Sequence, residues 1–408
     1  MLRSTFSALR ERDFAVFFSG QVVSLTGTWM ERAALASVVY GMTGHDENWL
    51  ALVGAIPAGP VILVSVAAGA IADRLPLLRV VVATQLLMMT AAVAMTLLVA
   101  SGELRPWHVV AYALVASALF AIDAPARQSL VPRLVRRENL TNAIALGAVS
   151  FNAARLAGGI AFSAVMAWTA WGEAGCLAVN AASFGAVLTG LLLIRTHPPV
   201  IVPSSANGAA GRGLSEGFRC ARRTPAIRGA LLVVLVSSLL GFQISHLVPV
   251  YAEKVWEVGK PGQGTLHAWL GGGALVGGLS LAARSGTVHR GRLIALSGTA
   301  AAILLAALSL SPPWWLGCVL FSLAGFCLIQ THSASNAVIQ THVPDDLRGR
   351  VMSLFTLSVL GAFPIGGLVA GLTAKQIGAP LTTLVASVLL AISLFAIHAT
   401  HRELARTR

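Results

Sequence analysis

Gly69-Ala70-Ile71-Ala72-Asp73-Arg74-Leu75-Pro76-Leu77-Leu78-Arg79 is the stretch on which the reading of this chain turns. The run from Trp49 to Ala72 carries no charge, and neither does the run from Val80 to Gly102. Each is long enough to cross a bilayer as a helix, which takes about 20 apolar residues. The stretch is therefore a short polar turn between two membrane helices. Gly69 permits close helix approach just before it, and Pro76 with the sudden charge ends the helix. The arginines hold such a turn on the cytoplasmic side.

The rest of the composition agrees. Of 408 residues, 56% are hydrophobic and 11% charged, with a mean hydropathy of +0.77. Soluble domains carry about 25% charged residues. The four cysteines, Cys176, Cys220, Cys318 and Cys327, show no metal or disulfide spacing. No nucleophile–base spacing, metal cluster or ATP-binding Walker motif is present, so an enzyme and an ATP-driven pump are both disfavoured. The charged start from Met1 to Asp13 does not read as a cleavable signal, so the first membrane segment is expected to direct insertion.

Twelve apolar segments are expected, at about 14–41, 48–72, 80–102, 106–128, 139–168, 173–194, 228–252, 265–283, 293–311, 314–340, 349–375 and 377–400. An even count puts both termini on one side. Alternating loops then place 23 of the 29 basic residues on one face and only Arg105, Lys254, Lys260 and Lys375 on the other. That asymmetry predicts cytoplasmic termini, and it explains the net charge of +13 without nucleic acid. The polar stretch 195–227, with Pro198-Pro199 and Asn207-Gly208, reads as a linker between an N-terminal bundle (1–194) and a C-terminal bundle (228–408). A weak repeat supports related halves. Leu130-Val131-Pro132 precedes a basic loop and a helix with Gly158-Gly159, and His342-Val343-Pro344 precedes a basic loop and a helix with Gly366-Gly367.

The stretch at Gly69 resembles the signature loop of the major facilitator superfamily, roughly Gly-x-x-x-Asp-Arg-x-Gly-Arg-Arg. Gly69, Asp73 and Arg74 match, while Pro76 and Leu77 depart and Arg79 stands in for a lost cation. Leu9-Arg10-Glu11-Arg12-Asp13-Phe14, Gly20 to Met30, Val39 to Gly44, Leu130 to Val135, Asn139 to Ala143 and Ser150 to Gly158 resemble the enterobactin-exporter-like branch of drug and siderophore exporters. The resemblance implies an all-α membrane protein, twelve transmembrane helices in two pseudo-symmetric six-helix bundles. It implies export of a small molecule by alternating access in the bacterial inner membrane, usually against protons, by a monomer without cofactor or metal. An importer, an uncoupled facilitator and a non-transporting scaffold are the alternatives. The Gly-Pro expected in segment five is Gly158-Gly159 here, which weakens the implied antiport.

Several residues stand out. Asp73 and Arg74 are expected to gate, and Asp123 with Arg127, four apart, share a helix face. That pair is either local shielding of the acid or a switch in which Arg127 exchanges between Asp123 and Asp73. Glu31, Arg32 and Arg155 lie about 16–17 residues into outward-running helices, roughly 24–26 Å at 1.5 Å per residue. Glu31 and Arg155 are expected to meet, either as a static pair or as a proton site, with Asp123 the next candidate. Gln21, Gln243, His246, Gln330, His332 and Asn336 are polar groups in apolar segments, candidates for the substrate path or for hydrogen-bonded packing. Gly271-Gly272-Gly273 lacks the strand and Lys-Ser of a phosphate loop and reads as helix packing.

Overall fold

The computed structural model describes residues 7–60, 76–195, 210–284, 289–344, 347–401 and 403–404. Gly69, Asp73 and Arg74 lie outside the described residues. The described chain is helical, with no strand among those residues. In order, the main helices are α1 (Arg12–Met42), α2 (Glu47–Ala55), α3 (Leu77–Ser101), α4 (Pro106–Leu134), α5 (Leu140–Trp168) and α6 (Gly172–Leu192). There follow α7 (Ala210–Arg223), α8 (Pro225–Val236), α9 (Ile244–Val250), α10 (Gly259–Ala283), α11 (Arg290–Leu308), α12 (Trp314–His342), α13 (Arg348–Leu360), α14 (Ala362–Ile377) and α15 (Ala379–Thr400).

Nine helical stretches among the described residues are long and apolar enough to cross a membrane. The 31-residue α1 and the 25-residue α10 are long but not among them. The sequence accounts for this: α1 carries Arg12, Asp13, Glu31 and Arg32, and α10 carries Lys260 and a run of glycines. The expected segment 48–72 is described only as far as residue 60. Segment boundaries otherwise follow the apolar pattern, because helix ends fall where charge, proline or glycine interrupts it. Gly102, at φ 74°, closes α3, and Ser311-Pro312-Pro313 separates α11 from α12. The stretch expected as a linker contains α7, whose Glu216 pairs with Arg350.

The chain divides into two compact units. Unit 1 comprises Met1–Gly44, Gly59–Ser205 and Lys260–Gly264. Within it α1 packs against α6 and α5, and α3 packs against α6 and α4. Phe14, Phe17, Val81, Leu130 and Leu191 are buried in its core. Gly27 and Gly158 permit the approach of α1 to its neighbours. A side chain at Gly27 would run into Asn180 and Ser183 of α6, and one at Gly158 into the α1 backbone and Trp29.

Unit 2 comprises His45–Ala58, Ala206–Gly259 and Thr265–Arg408. Here α11 packs on α12 and α15, and α2 packs on α14. Two π-helical turns, Ser237–Gly241 and Tyr251–Val255, interrupt the long helix that runs through α8 and α9. Trp256 anchors its end, stacking near Tyr251 and Trp314 and donating from Nε1 to the Pro312 carbonyl at 2.7 Å.

Candidate functional site: buried charge clusters

The first cluster lies in unit 1, at the glycine-permitted contact of α1 with α5 and α6. The Glu31 carboxylate accepts from the Asn180 side-chain amide and is reached by the Tyr112 hydroxyl, with Arg32 beside it. Asn180 is fully buried, and Glu31 and Arg155 are each 7% exposed. Arg32 is exposed. Both guanidiniums lie over the Trp29 ring, Arg32 at 4.9 Å and Arg155 at 5.0 Å from its centroid. The edge of Trp29 meets Phe151 at 5.4 Å. The sequence placed Glu31 and Arg155 at one level, and the structure brings them into one cluster. It does not pair them directly: Arg32 is the cation beside Glu31, and Arg155 stacks on Trp29. The reason is geometric, since Asn180 and Tyr112 already engage the carboxylate.

The second cluster, also in unit 1, surrounds Asp123. Its side chain is fully buried. One oxygen accepts from Thr84 Oγ1 at 2.8 Å and Gln85 Nε2 at 3.0 Å, and the other pairs with Arg127. The expected i,i+4 pair is therefore formed. Pro125 lies between the two residues, inside α4. A proline has no N–H to donate to the carbonyl one turn back, so this turn is short of one backbone hydrogen bond. Arg79 is exposed in the first turn of α3.

Unit 2 holds the remaining candidates. His332 is buried, with Nε2 2.9 Å from Ser237 Oγ on a π-helical turn and its ring edge-on to Phe242. Gln330 is buried and donates to Ser280 Oγ at 2.7 Å. Gln243 is 2% exposed, and neither its amide nitrogen nor its amide oxygen has a partner among the described residues. His246 packs on Phe363 at 4.5 Å. Half-buried Asn336 accepts from Gln340 at 3.0 Å. Gln21, in unit 1, is half-buried. His332 and Gln330 share α12 with Asn336, and Gln243 lies just before α9, one helical turn from His246 within it.

A further set of ion pairs in unit 2 was not read from the sequence. Three consecutive residues each find a partner: His45 pairs with Glu253 at 2.8 Å, Asp46 with Lys375 at 3.0 Å and Glu47 with Lys254 at 2.5 Å. Glu47, Lys254 and Lys375 line a cavity of about 550 Å³, with Val250 and Pro380. Asp46 also caps α2 by accepting from Asn48 N–H at 2.9 Å. That hydrogen bond, together with Lys375, holds its carboxyl below the usual carboxylate range. Asn180, Gln85, Thr84 and Tyr112 were also missed. The signal that singled out Gln21 and Gln330, a polar residue in an apolar run, was present for Asn180 and Gln85 as well.

No group of histidine, cysteine and acidic residues able to hold a metal occurs among the described residues. Comparison with known proteins completes the picture. The enterobactin exporter EntS of Escherichia coli O1:K1 is 28% identical over 260 residues, 62% of this chain. EntS of Escherichia coli O127:H6 is equally similar. The chain spans 60% of the length of these curated relatives. Among solved structures, a bacterial homologue of the human lysosomal transporter Spinster superposes with a TM-score of 0.73 at 15% identity, covering 97% of this chain and 98% of that one. The nucleoside transporter NupG gives 0.72 at 11% identity, covering 95% and 98%. These two show the shared fold. Residues 3–405 match the family described as transmembrane secretion effector. The chain belongs to the transmembrane secretion effector family of major facilitator superfamily transporters, and it is not an enzyme.

Proposed function

We propose that the protein exports a small molecule across the bacterial inner membrane by alternating access, with protons moving in exchange. Twelve crossings, two six-helix bundles at 1–194 and 228–408 joined through 195–227, and two cytoplasmic termini complete this reading. The exporters among its relatives support the direction. The observation that carries it is the charge buried along helices of membrane length. Each such charge costs about 2.5–3.5 kcal/mol at mid-bilayer, and a static scaffold has no use for it.

Of the two carboxylates expected to couple, Asp123 takes the role. Its cation, Arg127, sits across a proline-weakened turn and is 13% exposed, so the pair can part. Protonation of Asp123 frees Arg127 to reach Asp73 of the signature loop, where Gly69, Arg74 and Arg79 complete the gate. Glu31 also has three side-chain partners, but no proline interrupts the helix that carries it. The test is uptake of enterobactin into everted proteoliposomes under an imposed pH gradient. Gradient-driven uptake is expected in the parent, to be lost in Asp123→Asn and kept in Glu31→Gln. The reverse pattern would assign coupling to Glu31, and uptake indifferent to the gradient would remove protons from the mechanism.

A further inference from the structure

One helix of unit 2 is held closely on one side and bare on the other. The α7 helix packs on α13 and α8. Gly217 and Ala221, four apart, are buried. A Cβ at Gly217 would sit 2.9 Å from the Arg350 carbonyl, so α7 and α13 approach backbone to backbone there. The Glu216–Arg350 ion pair closes the same contact. At the other end, Arg228 Nη1 donates to the Arg222 carbonyl at 3.1 Å, and Arg228 Nε donates to His401 Nε2 at 2.7 Å. These contacts fix which face of α7 turns outward. That face carries Phe218, 62% exposed, with Arg219, Arg222 and Arg223, all exposed. The arginines are spaced i, i+3 and i+4, and Phe218 lies one turn before Arg222, so the four share one side of the helix. The one acid of α7, Glu216, is already paired with Arg350, and no ion pair of these three arginines is present among the described residues.

The chain then passes directly into an apolar span. Pro225–Val255 is long and apolar enough to cross a membrane, and it begins two residues after Arg223. The last turn of α7, with Arg222 and Arg223, is therefore at the level of the lipid headgroups. We propose that this face of α7 is a docking surface for anionic phospholipids. The guanidinium forks match the phosphodiester oxygens. Phe218 reaches the acyl boundary, in the combination of aromatic and basic residues that surface-bound helices use. A leaflet rich in anionic lipid attracts such juxtamembrane arginines, and a zwitterionic one has no net charge with which to do so. Arginines in the last turn of a helix also complement its dipole. That role alone needs no exposed Phe218 and gives no dependence on headgroup. Through the bond from Arg228 to the Arg222 carbonyl, a docked lipid steadies the start of the span as well as α7.

Native mass spectrometry of the full chain, released from detergent micelles, reads the affinity of the first bound lipid, and no transport enters the measurement. The probes are dioleoylphosphatidylglycerol and dioleoylphosphatidylcholine, with inorganic phosphate as competitor. The parent is expected to bind the phosphatidylglycerol at least about ten-fold more tightly than the phosphatidylcholine. The combined change Arg219→Gln, Arg222→Gln and Arg223→Gln is expected to reduce that preference by about ten-fold or more. The combined change Arg219→Lys, Arg222→Lys and Arg223→Lys should keep most of it, because attraction to the surface follows charge. Inorganic phosphate at the lipid's concentration should not displace the phosphatidylglycerol, since it makes no contact with Phe218. The arginines are exposed, so the glutamine variant should melt with the parent. If it melts lower, Arg219→Gln alone decides, with part of the preference lost. No preference in the parent, a preference unchanged in the folded glutamine variant, or displacement by phosphate overturns the proposal.

Discussion

Arg127 is ion-paired to Asp123 across Pro125, so the pair straddles a turn whose backbone ladder is interrupted. The side-chain pair and the missing hydrogen bond act on the same few residues. One holds the turn closed, and the other lowers the cost of opening it.

Replacing the proline separates these effects. Pro125→Ala restores the N–H that can donate to the Ala121 carbonyl and removes the ring clash, a change worth up to ~3 kcal/mol in a helix interior. The variant is expected to melt at or above the parental temperature and to transport more slowly, because the turn resists opening. A variant both stiffer and equally fast would mean that this turn does not move in the cycle.

The orientation is the next expectation to check. Reporter fusions after Arg222 and Arg402 should read cytoplasmic, and a fusion after Gly262 should read external. The charge asymmetry of the loops is the physical basis, since Arg and Lys are retained on the cytoplasmic side. An external reading at Arg402 would break the even count of crossings.

The all-helical membrane character was readable because burial in a bilayer demands long apolar runs, and most of these runs end where helices end. The pair Asp123–Arg127 was readable for a related reason: its spacing alone places both residues on one face. The partner of Glu31 was not. Whether a carboxylate takes Arg155, Arg32, Asn180 or Tyr112 depends on how α1, α4, α5 and α6 are rotated against one another. That rotation is set by small contacts such as Gly27 against Asn180, which no apolar pattern encodes. The pairs of His45, Asp46 and Glu47 escaped for the same reason, since their partners are more than 200 residues away in the chain.

Acid should weaken one of those pairs selectively. Asp46 titrates below its ordinary value because Asn48 N–H and Lys375 favour its charged form. A depressed folded-state value means that its contribution is complete above the unfolded carboxylate value of about 3.9 and is lost as pH falls through the lower folded value. Asparagine caps a helix about as well as aspartate, so Asp46→Asn removes mainly the charge. The variant is expected to melt below the parent at pH 7 and level with it once the pH has fallen below that lowered value. A gap that persists unchanged in acid would show that the carboxylate's charge contributes nothing to α2.

The last prediction concerns the packing that positions Trp29 under both guanidiniums. At Gly158 an added Cβ would meet Trp29 Cβ, the Thr26 carbonyl and the Met30 nitrogen. Two of these three are backbone atoms, which cannot rotate aside. Gly158→Ala must therefore push α5 away from α1, and overpacking of this kind costs about 1–3 kcal/mol. On the same helix Gly147 is exposed and has nothing within 4 Å of its would-be Cβ. There alanine is the better helix former by about 1 kcal/mol, with no contact to oppose it. Gly147→Ala is thus expected to leave the melting temperature unchanged or raise it, while Gly158→Ala lowers it. Equal melting of the two variants would mean that Gly158 does not set the approach of α5 to α1. In that case Arg155 would owe its place to other contacts, and the cluster would have to be rebuilt from α4 and α6.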